Sequence, residues 1–265
     1  MKLTSIALVL VASLSVMAPA AAAGASVFIE ELTWTDVRDA VAAGRTTIIV
    51  PVGGTEQSGP HMALGKHNLR AHVLAGRIAA ELGDALVAPV VAYVPEGPVD
   101  ATSGHMKFPG TITVPPDAFK AVLESAARSF RRAGFRDVVL IGDHGGYQSE
   151  LAAVAARLNR EWAATPVRAH FIAEYYRAGV EPYAQALRGK GLSEAQIGLH
   201  AGAADTSLML AVDPRLVRAD RLAAAPVAGV GTSGDARPST AALGQLGVDL
   251  IVLRSVNAIR RAVVR

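Results

Sequence analysis

Histidine and acidic side chains in this sequence fall into clusters whose residue types could bind a metal ion and transfer protons. The first cluster combines Glu56, His61 and His67 in a segment that also contains several glycines and a proline. Glycine and proline let a loop turn sharply, so these side chains can converge. Carboxylate oxygens and imidazole nitrogens are common ligands of zinc, manganese and iron. A single histidine is more often a surface or hydrogen-bonded residue, but the combination predicts a functional site.

A second cluster, Asp143-His144, is followed by Gly145-Gly146 and then by a predicted helix. Glycine lets the backbone approach a ligand closely, and the amides at a helix N-terminus favour an anion or an oxyanion. We therefore predict that Asp143, Gly145 and Gly146 contact the substrate. The alternative is that Asp143 caps the helix and His144 faces solvent.

Two further segments carry histidine. His200 and Asp205 are five residues apart around a glycine. They fit a metal ligand with a proton-transfer group, although alone they could be a helix cap and an ordinary polar pair. His105 precedes the turn pair Pro109-Gly110, so it either contacts substrate or belongs only to a structured turn.

These clusters follow the ends of predicted strands in a chain where strands and helices alternate. Strands are predicted at residues 46–52, 85–94, 137–141 and 167–173, and helices at residues 35–43, 68–82, 115–133, 148–163, part of 193–210, and 248–265. This alternation predicts one α/β domain with a mostly parallel sheet and helices on both faces. In such sheets ligands bind at the carboxyl ends of the strands.

Composition and the N-terminus limit the class of protein. The chain has 265 residues, of which 18% are charged, a formal net charge of +3 and no cysteine. No basic run supports nucleic-acid binding, and disulfides and thiolate ligands are excluded. Residues 1–24 have a positive start, an apolar stretch and a small-residue cleavage region, which predicts a signal peptide before a domain at residues 25–265. We expect a periplasmic or secreted protein with no membrane segment after cleavage; an N-terminal anchor would need a longer apolar stretch.

Five short motifs follow one another along the chain. They are residues 32–35 (LTWT), 51–61 (PVGGTEQSGPH), 108–111 (FPGT), 142–146 (GDHGG) and 200–207 (HAGAADTS). In this order they resemble the creatininase (creatinine amidohydrolase) family, in which the last four usually read P-V-G-S-x-E-Q-H-G-P-H, F-P-G-T, N-G-H-G-G and H-A-G-x-x-E-T-S. Each piece alone is weak, whereas the ordered set is specific.

The resemblance implies a fold, a cofactor and a reaction. It implies a three-layer creatininase-like α/β fold with a mostly parallel central sheet, one or two metal ions, and hydrolysis of amide bonds, often in cyclic amides or formamides. It also implies a homo-oligomer, often a hexamer. By position, Glu56 and His144 correspond to ligands of the first metal. Asp205 stands where a glutamate ligand is usual, and His200 stands at the position of a catalytic acid or base.

Two positions depart from the family's pattern. Ser58 replaces a metal-binding histidine, and His67 replaces a bridging aspartate, which can offer two oxygens to two cations where imidazole offers one nitrogen. We therefore expect one divalent ion per chain, zinc first and manganese or iron as alternatives. The predicted ligands are Glu56, His67, His144 and Asp205. Asp143 could instead be a hydrogen-bond partner of a ligating histidine.

The sequence thus predicts a metal-dependent hydrolase of a small amide, cyclic amide or lactone. A metal-activated water would attack the carbonyl group. The residues predicted to act in catalysis are His61, His200 and Asp205, and those predicted to contact the substrate are His105, Asp143, Gly145 and Gly146. Two alternatives stay open: a metal-dependent isomerase or lyase on the same scaffold, and a degenerate protein that only binds a small ligand.

Overall fold

The computed structural model describes residues 26–224 and 228–263, in which helices and strands alternate. In chain order the elements are α1 (Trp34–Ala42), β1 (Thr47–Val52), α2 (Lys66–Leu82), β2 (Ala85–Val87), α3 (Pro116–Arg132), β3 (Asp137–Gly142), α4 (Gln148–Glu161), β4 (Arg168–Phe171), α5 (Ala173–Arg188), α6 (Glu194–Ile197), α7 (Ala203–Val212), α8 (Ala219–Ala223), β5 (Ala228–Gly229), β6 (Thr232–Ser233) and α9 (Ala241–Val263). The signal peptide predicted at residues 1–24 lies outside the described residues.

The central sheet is parallel, which confirms the predicted α/β fold. Within the described residues its strand order is β2-β1-β3-β4. Every residue of β1 and β3 is buried, as expected for strands that are covered by helices on both faces. Val52 pairs with Gly142, so the carboxyl ends of β1 and β3 lie side by side. The loops that follow them carry the polar clusters.

Hydrophobic cores lie on both faces of the sheet and complete the three layers. Successive side chains of β1 point to opposite faces. Ile49 packs in the core that contains Leu74 of α2 and Ile251 of α9. Ile48 packs in the other core, which contains Leu123 of α3 and the helix α4.

Two regions differ from the sequence-based expectation. The strand predicted at residues 85–94 ends at Val87, because Pro89 has no amide to donate to the sheet; Val91 still bridges to Val52. No helix is predicted between residues 174 and 192, where the structure has α5. Gly179 and Pro182 interrupt the helical pattern of this segment, and both residue types are unfavourable inside a helix.

Helix α2 carries charged residues into the interior. Lys66, Arg70, Leu74 and Ile78 follow one another at intervals of four and are all buried, so the charged side chains begin a stripe that continues as hydrophobic core. Gly83 ends the helix in a left-handed conformation with φ of 85°. The N-terminal turn of α2 therefore points polar groups at the carboxyl edge of the sheet.

Helix α9 is long and apolar enough to cross a membrane by length and hydropathy. It packs against α2, α5 and α7, and Val248, Ile251 and Ile259 belong to the hydrophobic core. This packing is typical of the core helix of a globular domain, which explains its apolar composition.

Candidate metal and catalytic site

The polar clusters meet at the carboxyl edge of the sheet because Tyr147 ties the two loops together. Its hydroxyl accepts hydrogen bonds from the amides of Asp143 and His144, both at 3.1 Å. The same hydroxyl lies within hydrogen-bond distance of the carbonyls of Val52 and Gly53 at the end of β1. Tyr147 is fully buried, so this junction is a fixed part of the interior.

Glu56 lies at the centre of the site. Its side chain is fully buried, and within the described residues four histidines surround the carboxylate. The nearest ring nitrogens are His67 Nε2 at 2.8 Å from Oε1, His105 Nδ1 at 3.2 Å from Oε2, His144 Nε2 at 3.5 Å from Oε2, and His200 Nδ1 at 3.7 Å from Oε1. Oε2 has no hydrogen-bond partner among the described residues. Burial opposes ionisation, but Lys66 and His67 outweigh it and hold the pKa of Glu56 well below its usual range.

Two groups of three ligand atoms in the described part of the chain are close enough to hold a metal ion. We call Glu56, His67 and His144 the metal triad, and Glu56, His105 and His200 the open triad. The two triads share Glu56, and each triad has one histidine beside Oε1 and one beside Oε2. The sequence predicted Glu56, His67 and His144 as ligands, and the structure brings these three together.

Asp143 fixes the orientation of the His67 ring. Its Oδ2 lies 2.6 Å from Nδ1 of His67, so Nδ1 carries a hydrogen and Nε2 faces Glu56. Arg70 Nε donates to both oxygens of Asp143, at 3.0 and 2.8 Å, and the Tyr175 hydroxyl donates to Oδ1 at 2.9 Å. A carboxylate behind a histidine in this manner is the usual partner of a metal ligand.

His144 is held as a neutral imidazole. Burial first, and then the nearby His67, lower the pKa of His144 to about 3. Glu96 Oε1 lies 3.3 Å from its Nδ1. Burial and the negative charge of Glu56 raise the pKa of Glu96 to about 8. His144 is therefore a neutral imidazole at neutral pH, the form that a metal ligand requires.

His200 and His105 are oriented by Gln57. His200 Nε2 donates to the backbone carbonyl of Gln57 at 2.9 Å, which leaves the lone pair of Nδ1 towards Glu56. The Gly59 amide donates to Gln57 Oε1 at 3.0 Å, so the amide nitrogen of Gln57 faces His105 Nδ1 at 2.9 Å. Burial and then Lys66 lower the pKa of His200 to about 4, so His200 is an unprotonated base at neutral pH.

Asp205 has partners that the sequence did not indicate. It forms ion pairs with Lys66 and with Arg70 Nη1, the latter at 2.6 Å, and accepts from the amide of Ala201 at 3.1 Å. Burial opposes its ionisation, but Lys66 and Arg70 outweigh it, and the pKa of Asp205 lies well below its usual range. Among the described residues Asp205 belongs to neither triad. This differs from the predicted ligand set because two cations already neutralise the carboxylate.

His61 lies apart from the other predicted site residues. It is fully buried, and its Nε2 is 3.0 Å from the Thr206 hydroxyl. Its contacts join the loop after β1 to α7, and it is not among the residues that line the cavity described below. A direct role in catalysis remains a prediction from the sequence.

Gly145 and Gly146 leave space next to His144 because they have no side chain. A Cβ at Gly145 would lie 2.5 Å from the Tyr176 hydroxyl. The Gly146 amide lies 3.4 Å from His144 Nδ1 and donates towards it. Contact of these amides with a substrate remains a prediction.

A cavity of about 660 Å³ opens onto the site. Its inner wall contains His67, His105, His144 and His200, together with Lys66. Helices α5, α6, α7 and α9 line the rest of the cavity with both apolar and charged residues, namely Val180, Ala184, Ile197, Leu208, Ile251, Glu181, Arg188 and Glu194. The site is therefore accessible to a ligand with both polar and apolar parts.

Several residues of the site were not predicted from the sequence: Gln57, Lys66, Arg70, Glu96 and Tyr175. Lys66 and Arg70 did carry a signal, because cations at intervals of four in line with Leu74 must be buried and need anionic partners. Tyr175 lies on α5, a helix that the sequence pattern did not indicate.

A parallel α/β sheet with a buried histidine–carboxylate cluster at its carboxyl edge is an arrangement typical of metal-dependent enzymes. The chain belongs to the creatininase family: the family model described as creatinine amidohydrolase matches residues 30–259. The chain is 31% identical over 208 residues to creatinine amidohydrolase of Pseudomonas putida, covering 77% of this chain and 78% of the relative.

Other relatives show that the family includes a different activity. The chain is 32% identical over 180 residues to a mycofactocin precursor peptide peptidase of Mycolicibacterium smegmatis, covering 66% of this chain and 61% of the relative. A solved structure described as "Creatininase Mn" aligns with a TM-score of 0.72 at 28% identity, covering 89% of this chain and 98% of that chain. A mutant creatininase described as "Zn-Zn type" aligns with a TM-score of 0.71 at 27% identity and the same coverage. The chain is thus a hydrolase of the creatininase family with candidate metal-binding residues.

Proposed function

We propose that the protein is a metal-dependent hydrolase that acts on a small amide, cyclic amide or lactone. The observation that carries this proposal is the metal triad, in which Asp143 orients the His67 ring so that Nε2 faces Glu56 Oε1 at 2.8 Å. Glu56 and His67 converge from the loop after β1 and the first turn of α2, and His144 arrives from the loop after β3.

The residues present fit a divalent ion. Oε2 of Glu56 is buried without a hydrogen-bond partner among the described residues, which costs free energy unless a cation or a donor satisfies it. One carboxylate and two imidazoles suit zinc first, with manganese or iron as alternatives. When bound, such an ion lowers the pKa of water and polarises a carbonyl group. We propose one ion per chain, at the metal triad.

The chain's own residues then bind the substrate and move a proton. His200 has an unprotonated Nδ1 that faces Glu56, so it can accept a proton and later return it to the leaving group. The backbone carbonyl of Gln57 keeps the ring in this tautomer. His105 lies beside His200, with ring centroids 4.6 Å apart, and lines the cavity where the substrate enters.

The substrate class follows from the cavity and from the relatives. The relatives are described as acting on creatinine or on a precursor peptide, and both contain a C–N bond next to a carbonyl group. The cavity of this chain combines imidazole and apolar walls, so we propose a small amide or ester that carries an apolar part. The signal-like residues 1–24 support export to the periplasm or the medium, and the family resemblance supports a homo-oligomer, with a hexamer as the expected form.

Metal content and product mass test this proposal together. Purified protein should contain about one zinc, manganese or iron ion per chain, and His67→Ala and His144→Ala should lose it. His72→Ala is the matched control, because His72 also lies on α2 but stacks on Phe28 at 4.1 Å. Incubation with a panel of amides, cyclic amides and lactones should give products that have gained one water. A product of unchanged mass would indicate an isomerase, and metal-free protein that binds a panel compound without turnover would indicate a binding protein.

A further inference from the structure

The two triads pose a question about how many ions the site can hold. Both meet the distance requirement for metal binding, and they share Glu56. Geometry alone therefore offers two cation positions on one carboxylate. The charged side chains around Glu56 distinguish them.

Lys66 places a buried positive charge beside the Glu56 carboxylate, close to the open triad. Its ammonium group is buried, with 1% of the side chain exposed, and lies 3.5 Å from Glu56 Oε1. His67 Nε2 and His200 Nδ1 approach the same oxygen at 2.8 and 3.7 Å. The ammonium also pairs with Asp205, which accepts from the amide of Ala201 next to His200, so Lys66 lies on the His200 side of the carboxylate. A metal ion at the open triad would therefore lie next to this positive charge.

The charge of the buried cluster favours a single divalent ion. Lys66 and Arg70 carry two positive charges, and Glu56, Asp143 and Asp205 carry three negative charges, which leaves a net charge of −1. Ligating imidazoles are neutral and add nothing. One divalent ion brings the cluster to +1, whereas two would bring it to +3, and uncompensated buried charge is strongly unfavourable.

The hydrogen bonds of the two triads also favour a single ion at the metal triad. In the metal triad, Asp143 stands behind His67 and prepares Nε2 as a ligand. In the open triad, the nitrogen of His105 that faces Glu56 already accepts from the Gln57 amide at 2.9 Å. Its lone pair is therefore occupied, while that of His200 is free for a proton.

We propose that Lys66 acts as a built-in cation that keeps metal out of the open triad, so that one divalent ion occupies the metal triad and His200 stays available for proton transfer. This inference rests on the proposed metal site. Lys66 acts through Glu56 and is a positioning residue, and its effect is to be read from metal stoichiometry rather than from activity.

Metal titration of wild type, Lys66→Met and Lys66→Gln tests the proposal. Chelator-treated protein is titrated with zinc chloride, bound zinc is measured per chain after gel filtration, and folding is checked by circular dichroism. Wild type should bind one ion per chain. Either lysine variant that folds should bind a second ion at least tenfold more tightly than wild type does, because the net charge falls to −2. Adding His200→Ala to the lysine variant should return the stoichiometry to one, which would locate the second ion in the open triad.

The possible results separate the two proposals. Wild type that binds no zinc, manganese or iron would overturn the metal-dependent function itself. Wild type that binds two ions would overturn the role of Lys66 but would not contradict the proposed metal site. If neither lysine variant folds, an anomalous map of wild type replaces the titration. An ion between Glu56 and His200 in that map would also overturn the role of Lys66. Lysine variants that fold and still bind one ion with unchanged affinity would also reject the inference.

Discussion

The Asp143 carboxylate lies 2.6 Å from Nδ1 of His67, and this contact decides which ring nitrogen faces Glu56. Arg70 holds Asp143 from the other side, so the orientation of His67 depends on a buried ion pair. Burial opposes ionisation of Asp143, but Arg70 and His67 outweigh it and keep its pKa below the usual range. The carboxylate is therefore ionised whenever the site binds metal.

Replacing Asp143 with asparagine should weaken metal binding without removing a ligand. The neutral amide oxygen can still accept from His67 but no longer carries the negative charge that strengthens this hydrogen bond, so the dissociation constant for zinc should rise by ~10–100-fold. Competition with a zinc-sensitive dye measures this change. Asp213→Asn is the control, since Asp213 pairs only with the exposed Arg215 among its described contacts. Equal zinc affinity in the two variants would show that Asp143 does not prepare the ligand.

Replacing His200 with asparagine should reduce turnover while the metal stays bound. His200 is outside the metal triad, and its unprotonated Nδ1 is the group that accepts the proton, so kcat should fall by ~10²–10⁴-fold. Metal content per chain should match wild type. His72→Asn controls for loss of an imidazole on a nearby element. A variant that loses metal together with activity would instead assign His200 as a ligand.

The sequence was sufficient to predict the parallel sheet and the position of the site at its carboxyl edge. The clusters at Glu56 and His144 follow β1 and β3 directly, and pairing of adjacent parallel strands brings such loops together. Both features depend on local sequence patterns, because each cluster directly follows the strand that positions it. The same pattern predicted His105 and His200 as site residues, and in the structure both lie beside Glu56.

The charged partners of the site residues could not be predicted from local sequence patterns. Asp205 looked like a ligand because nothing in its own segment shows that Lys66 and Arg70 arrive from α2 to neutralise it. Glu96 follows a stretch that was predicted to be a strand, and only its burial near His144 gives it a role. Such long-range pairs depend on how helices pack against the sheet, which the periodicity of one segment does not specify.

Glu96 should make the stability of the metal-free protein fall as the pH rises. Its pKa is about 8 in the folded protein against an ordinary value of 4.5, so between pH 4.5 and 8 the folded state binds more protons than the unfolded state. Linkage then requires the contribution of Glu96 to decrease through that range. Urea unfolding in EDTA at pH 5, 6, 7 and 8 should show wild type losing stability relative to Glu96→Gln as the pH rises. If the unfolding free energies of wild type and Glu96→Gln change with pH in parallel, the raised pKa of Glu96 is contradicted.

His144 and His200 should make the stability of the metal-free protein fall as the pH decreases. Their pKa values, about 3 and about 4, lie below the usual 6.5, so the unfolded state binds more protons as the pH falls below 6.5. Metal-free wild type should therefore lose stability between pH 6.5 and 4. The combined variant His144→Asn/His200→Asn should show a smaller loss over the same range, measured by the same urea unfolding. An unchanged slope would mean that neither imidazole is held neutral by the fold.

Gly145 should tolerate a methyl group only if Tyr176 also changes. A Cβ at residue 145 would lie 2.5 Å from the Tyr176 hydroxyl oxygen and 3.1 Å from Cζ, so Gly145→Ala forces the phenol to move and should cost about 1–3 kcal/mol of unfolding free energy. The double variant Gly145→Ala/Tyr176→Phe removes the nearer atom and should recover more than half of this loss. Gly65→Ala is the matched control, because its added Cβ would meet only Asn68 at 3.9 Å. Thermal and urea unfolding of the four proteins of the cycle measure the coupling, and additive effects would show that the two side chains do not meet at the cavity wall.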